Sequence, residues 1–138
     1  MYATSLYAKY LYCTSHASLV TGFYGLYQGT LLGFFPLAVF IASINYWRYP
    51  VNGYRRYFDI FTAIISAVMQ TYYARNYPNF IKYVIILVIG VGFYPLSNWI
   101  QHEQLPQDRA LILSTFFHSM IHIVCNVANY VLYTETLF

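Results

Sequence analysis

Charged side chains punctuate this chain rather than cover it. They fall at Lys9, Arg48, Arg55, Arg56, Asp59, Arg75, Lys82, Glu103, Asp108, Arg109 and Glu135. Between them lie uncharged windows over 10–47, 60–74, 83–101 and 110–134. A hydrocarbon core about 30 Å thick is crossed by roughly 20 apolar residues in helical form. Three windows meet that length. The window 60–74 is short and spans only if Asp59 and Arg75 sit at the two interfaces, or if Arg75 snorkels. The pattern predicts an all-α fold, a polytopic integral membrane protein with four transmembrane helices in a compact bundle. The expected spans run over about 19–44, 59–75, 82–101 and 110–133, within a single transmembrane domain covering 1–138.

The first window is long, but Thr14, Ser15, His16 and Ser18 make its early part too polar for lipid. Residues 1–18 are therefore expected to be an interfacial lead-in. One long helix follows, with Pro36 inside it as a kink. Aromatic side chains mark the expected boundaries. Tyr46, Trp47, Tyr49, Tyr54 and Tyr57 crowd the first loop, and Tyr72, Tyr73 and Tyr77 end the second span. Tyr and Trp favour the headgroup level, where ring and polar tip are both satisfied.

Composition strengthens this picture. Hydrophobic residues make up 59% of the chain and charged residues only 8%, against about 25% charged in soluble domains. A net charge of +3, without clustered Lys and Arg, excludes a nucleic-acid footprint. Cys13 and Cys125 are far apart and form no metal or redox motif. Met1–Lys9 lacks the pattern of a cleavable signal, so the first span is expected to act as the targeting signal. Four spans place Lys9, Arg75 and Lys82 on one side, and Arg48, Arg55, Arg56 and Arg109 on the other. The short loop around Arg55 and Arg56 then favours termini outside. The same arginines, with Arg48, are candidates for lipid-headgroup contact.

Gly25, Gly29 and Gly33 recur once per turn. On a continuous helix they form a groove for close helix–helix packing, within the chain or between copies. Gly90, Gly92 and Pro95 mark a weak point in the third span, where a broken helix exposes backbone.

The last span carries the most chemistry. Thr115, His118, His122, Asn126 and Asn129 recur at three- and four-residue steps and fall within about 80° of arc. Ile112, Phe116, Ile123 and Val127 lie off that stripe and are expected to face lipid. A polar stripe on a spanning helix must face protein or a wet cavity, because lipid offers no partners. It can serve as interhelical glue, or as part of a polar or metal site. His118 and His122, four apart, can aim both rings at one ion. Four-span topology brings Asp59 to the same membrane half. Asp59, His118 and His122, with His102 and Ser43 as outer members, form a candidate zinc site with an open position for water.

Ser43, Asp59, His118 and His122 are similar to the Ser, Asp and HxxxH set of the zinc-dependent intramembrane hydrolases of the alkaline ceramidase superfamily. The resemblance covers those motif positions and no continuous stretch. It implies a zinc-bound water acting on lipid. Those proteins have seven spans and a histidine four residues after the serine, where this chain has Trp47. Two function classes follow. The favoured one is a non-enzymatic structural subunit or small carrier whose polar stripe organises the bundle. The alternative is a metal-dependent intramembrane hydrolase acting on lipid. Expected partners are the lipid bilayer and neighbouring helices, including a second copy through the glycine ladder.

Overall fold

The computed structural model describes residues 5–51, 53–103 and 105–134. Residues 1–4 of the expected lead-in lie outside them. Among the described residues the fold is all-α, with no strands. Five α-helices follow one another: α1 (Ser5–Tyr27), α2 (Phe34–Trp47), α3 (Tyr54–Ala74), α4 (Phe80–His102) and α5 (Gln107–Tyr133). A 3-10 turn at Leu31–Gly33 leads into α2.

The single helix expected over 19–44 is instead a hairpin of two, and the expected interfacial lead-in is the first half of α1. The cause is local. Gly29 has φ of +80°, a left-handed backbone that glycine adopts without strain. The Thr30 N–H donates to Gly25 O (3.0 Å) and the Gly29 N–H to Leu26 O (3.0 Å). These are the paired bonds of a Schellman helix stop. Thr30 then starts the next element, its side chain accepting from the Leu32 N–H at 3.2 Å. Pro36 lies in the first turn of α2, where its missing N–H costs no helical bond. It begins a helix rather than kinking one. Gln28 is exposed in the turn.

The glycine ladder is thereby divided. Gly29 makes the turn, while Gly25 and Gly33 face each other across it. A Cβ on Gly25 would lie 3.0 Å from Gly33 Cα and 2.9 Å from the Tyr133 ring. A Cβ on Gly33 would collide with the Gly22 carbonyl oxygen. The close packing is real, but it seals the α1–α2 hairpin within one chain. At the hairpin's other end, Leu11 packs with Tyr46 and Trp47. In α4, Gly90 admits Cys125 of α5, whose Sγ would stand 2.7 Å from an added Cβ. Gly92 meets nothing within 4 Å, and α4 runs on through Pro95.

The three other expected spans correspond to α3, α4 and α5. The interior holds apolar clusters at two ends. Leu32, Ala74, Tyr83, Ala128, Leu132 and Tyr133 form one, and Leu11, Tyr46 and Trp47 the other. Ser15, Ser18, Thr21 and Asn126 are buried between them. The outside is apolar: Phe61 is 64% exposed, Val68 60%, Ile81 68% and Val88 65%. Helices α4 and α5 are long and apolar enough to cross a membrane, and only 17% of each apolar window is buried. A core helix of a soluble globule would be mostly buried.

Gly33→Ala is expected to destabilise the fold by about 2 kcal/mol or more, because the added methyl meets backbone and cannot be accommodated by a rotamer change. Gly92→Ala is expected to be neutral or to stabilise by up to about 1 kcal/mol through helix propensity. Thermal unfolding of the two purified variants would check the order.

Candidate functional site

The polar stripe of α5 meets an equally polar face of α1. Thr14, Ser18 and Thr21 recur at helical spacing on α1, and α1 runs parallel to α5, so the two faces stay in register along their length. His122 Nδ1 shares hydrogen bonds with Thr14 Oγ1 (2.9 Å) and Ser15 Oγ (3.5 Å). Asn126 Oδ1 accepts from Thr21 Oγ1 at 2.6 Å. Its amide donates to Ser18 Oγ at 3.0 Å and to the His122 carbonyl at 2.6 Å. Ser15 and Thr21 also return their hydroxyls to the carbonyls of Leu11 and Ala17. That back-bonding is how a hydroxyl on an apolar helix satisfies itself.

The network continues into α3 and α4. Asn129 donates to Asn126 Oδ1 at 3.3 Å and accepts from Gln70 Nε2 at 2.6 Å. Gln70, on α3, is 3% exposed. Its amide also reaches Tyr83 OH on α4 at 3.2 Å. Tyr133 OH donates to Gln70 Oε1 (2.6 Å) and lies 3.1 Å from the Leu32 carbonyl. A hydrogen-bonded spine thus runs from Thr14, near the middle of α1, to Leu32 at the far end of the bundle, touching α1, α3, α4 and α5. Ile112, Phe116, Ile123 and Val127 are exposed on the opposite face of α5, as their positions off the stripe require.

The candidate metal set is only partly assembled. Ser43 on α2 donates to Asp59 Oδ1 on α3 at 2.6 Å. Asp59 and His118 line one small cavity of about 40 Å³, with Trp47, Arg56 and Tyr94 among its other walls. Trp47 sets its ring edge-on against His118, centroids 5.1 Å apart, and His122 stands beyond His118 at 5.3 Å. His122 is turned to α1. His102 is exposed at the end of α4 and does not line the cavity. Among the described residues no three His, Cys, Asp or Glu side chains gather to hold an ion. Two buried polar atoms, Trp47 Nε1 and Thr115 Oγ1, have no hydrogen-bond partner. The three headgroup arginines divide. Arg56 lines the small cavity, while Arg48 follows α2 and stacks 5.8 Å from the Tyr49 ring centroid.

Sequence reasoning found the α5 stripe but not what receives it. Thr14, Ser18 and Thr21 carried the same three- and four-residue spacing, yet the polarity of Thr14 and Ser18 read as exclusion from the bundle, and Thr21 lay inside the first expected span. Gln70 was a lone amide in an apolar run, a signal of equal kind to Asn126. No protein-family description, characterised protein or solved structure matches this chain.

Thr21→Ala and Asn126→Ala are expected to couple by about 0.5–1.5 kcal/mol in a double-mutant cycle, the net worth of one hydrogen bond. Phe61→Ala with Thr21→Ala, the first on the exposed outer surface and outside this network, should be additive. Chemical or thermal unfolding of the four proteins in each cycle reads the coupling.

Proposed function

We propose that this chain is an integral membrane protein whose polar interior holds the bundle together, a non-enzymatic structural subunit rather than a catalyst. One observation carries the reading. From His122 to Asn129 the stripe's side chains are engaged with other helices, while the outer surface is apolar. In lipid, apolar surface costs nothing and interior polar groups must find each other.

Five helices, not four, then cross the bilayer. α1, α3 and α5 run one way, and α2 and α4 the other. Lys9, Arg48, Arg55, Arg56 and Arg109 gather at one end, against Arg75 and Lys82 at the other. The excess assigns the first end to the cytosol. This keeps Arg48, Arg55, Arg56 and Arg109 on the cytosolic side, as expected from four spans, and moves only the N-terminus with Lys9 to join them, because of the extra turn at Gly29.

A second reading is favoured by one specific observation. Ser43 bonds Asp59, and Asp59 shares a cavity with His118, the grouping that the resemblance to intramembrane zinc hydrolases implies. Against it, Trp47 occupies the position of the third imidazole, and its indole is packed on His118. His122 is hydrogen-bonded to α1. The chemistry of a catalytic zinc needs three protein ligands and an open position, and among the described residues Asp59, His118 and His122 do not gather as such a set.

Purified wild-type protein is expected to hold well under stoichiometric zinc by elemental analysis, since no three candidate ligands gather among the described residues. Trp47→His, which restores a third imidazole beside His118, is expected to raise zinc content. Stoichiometric zinc in the wild type would replace the structural reading with the enzymatic one. For orientation, Tyr49→Cys in a background lacking the native cysteines should resist impermeant maleimide in intact cells, and Asn76→Cys should react. The opposite pattern would reverse the assignment.

A further inference from the structure

A second concavity lies at the cation-rich end of the bundle, between the first turns of α1 and the segment leaving α2. It is a groove of about 590 Å³, walled by Ala8, Lys9, Tyr12, Trp47, Arg48 and Val51 together with Tyr49 and Pro50. Two cations stand on an otherwise apolar and aromatic wall, and among the described residues no acidic side chain lines it. Lys9 and Arg48 are exposed, while Ala8 and Trp47 are buried at 5% and 4% exposure. Trp47 keeps its indole Nε1 without a hydrogen-bond partner.

We infer that this groove binds one anionic phospholipid, its phosphate between Lys9 and Arg48 and an acyl chain against Ala8, Tyr12 and Trp47. The inference rests on the membrane reading above, and its position follows from it. The helix ends that border the groove lie at headgroup depth, on the face with the larger excess of cations. Charge and shape select the occupant. A guanidinium and an ammonium recognise a phosphate by charge-assisted hydrogen bonds. The apolar wall gives no purchase to a free phosphate ion but accepts hydrocarbon. A second protein would bring a matching acidic group, whereas anionic lipid is already present at that depth. Each basic side chain near an anionic surface adds roughly fivefold to affinity.

The chain holds two tryptophans, and Trp99 is 60% exposed on α4, away from the groove. A Trp99→Phe variant therefore reports from Trp47 alone. It would be reconstituted into phosphatidylcholine vesicles in which either phosphatidylglycerol or phosphatidylcholine carries brominated acyl chains as a minor component. Brominated phosphatidylglycerol is expected to quench Trp47 at several-fold lower mole fraction than brominated phosphatidylcholine. Lys9→Gln with Arg48→Gln should equalise the two lipids, while Arg75→Gln with Lys82→Gln, at the other end, should leave the preference intact. Inorganic phosphate added at millimolar concentration should not change it. Equal quenching by both lipids in the parent, or loss of the preference in the Arg75/Lys82 control, would overturn the site. Suppression by inorganic phosphate would replace lipid with a free anion. Failure of the protein to float with the vesicles would overturn the membrane reading itself, an outcome distinct from all of these.

Discussion

An amide buried among apolar helices must be hydrogen-bonded or the bundle loses stability, and this constraint organises the whole molecule. Asn126 engages Thr21, Ser18 and the His122 carbonyl at 2.6–3.0 Å. Gln70 engages Asn129, Tyr83 and Tyr133 at 2.6–3.2 Å. Those two amides, one on α5 and one on α3, tie α1, α3, α4 and α5 together. A helix that slipped or rotated would strand several donors at once, and each stranded group costs about 1–3 kcal/mol. The apolar contacts at the two ends fix separation, but the amides fix register. The polarity of the fold is inverted relative to a soluble globule, with Ser, Thr, Asn and Gln inside and Phe, Ile and Val outside.

The turn at Gly29 decides how that spine is completed. Without it, Thr14, Ser18 and Thr21 would extend a long helix away from the bundle. With it, α1 folds back on α2 and presents its hydroxyls to α5. Gly22, Gly25 and Gly33 allow the backbones to approach where any side chain would collide. Glycine thus acts twice, once by conformation and once by absence of bulk. The same turn sets the parity of the helices and draws Lys9 into the group of Arg48, Arg55, Arg56 and Arg109, which gives the two ends of the molecule unequal charge.

Much of this was legible in the sequence. The helical class followed from charge-free windows, and the outward positions Ile112, Phe116, Ile123 and Val127 from their place off the stripe. The stripe itself was readable because its period is helical and its residues are polar. The hairpin was not read, because two full spans and a turn barely fit the window 10–47, and Thr14, Ser15, His16 and Ser18 look too polar for lipid when taken alone. Segment 60–74 and the polar segment before Leu19 look unsuited to lipid when judged alone. Their polar groups become tolerable only when opposed by others, which is a property of pairs that no single segment displays. Ser43 bonds Asp59, and Asp59 and His118 line one cavity. Their separation from His122 depends on Thr14, a partner that appears only when α1 is folded into place.

The inverted polarity is tested most directly by labelling from within the bilayer. The protein would be reconstituted with a lipid probe that generates a carbene on photolysis, and modified residues mapped by mass spectrometry. The expected result is label at outward positions such as Phe61, Val68, Val88 and Phe116, with Ser15, Ser97 and Asn126 unmodified. Label distributed over the spine, or a protein that remains monomeric in water without detergent and takes no label, would contradict it.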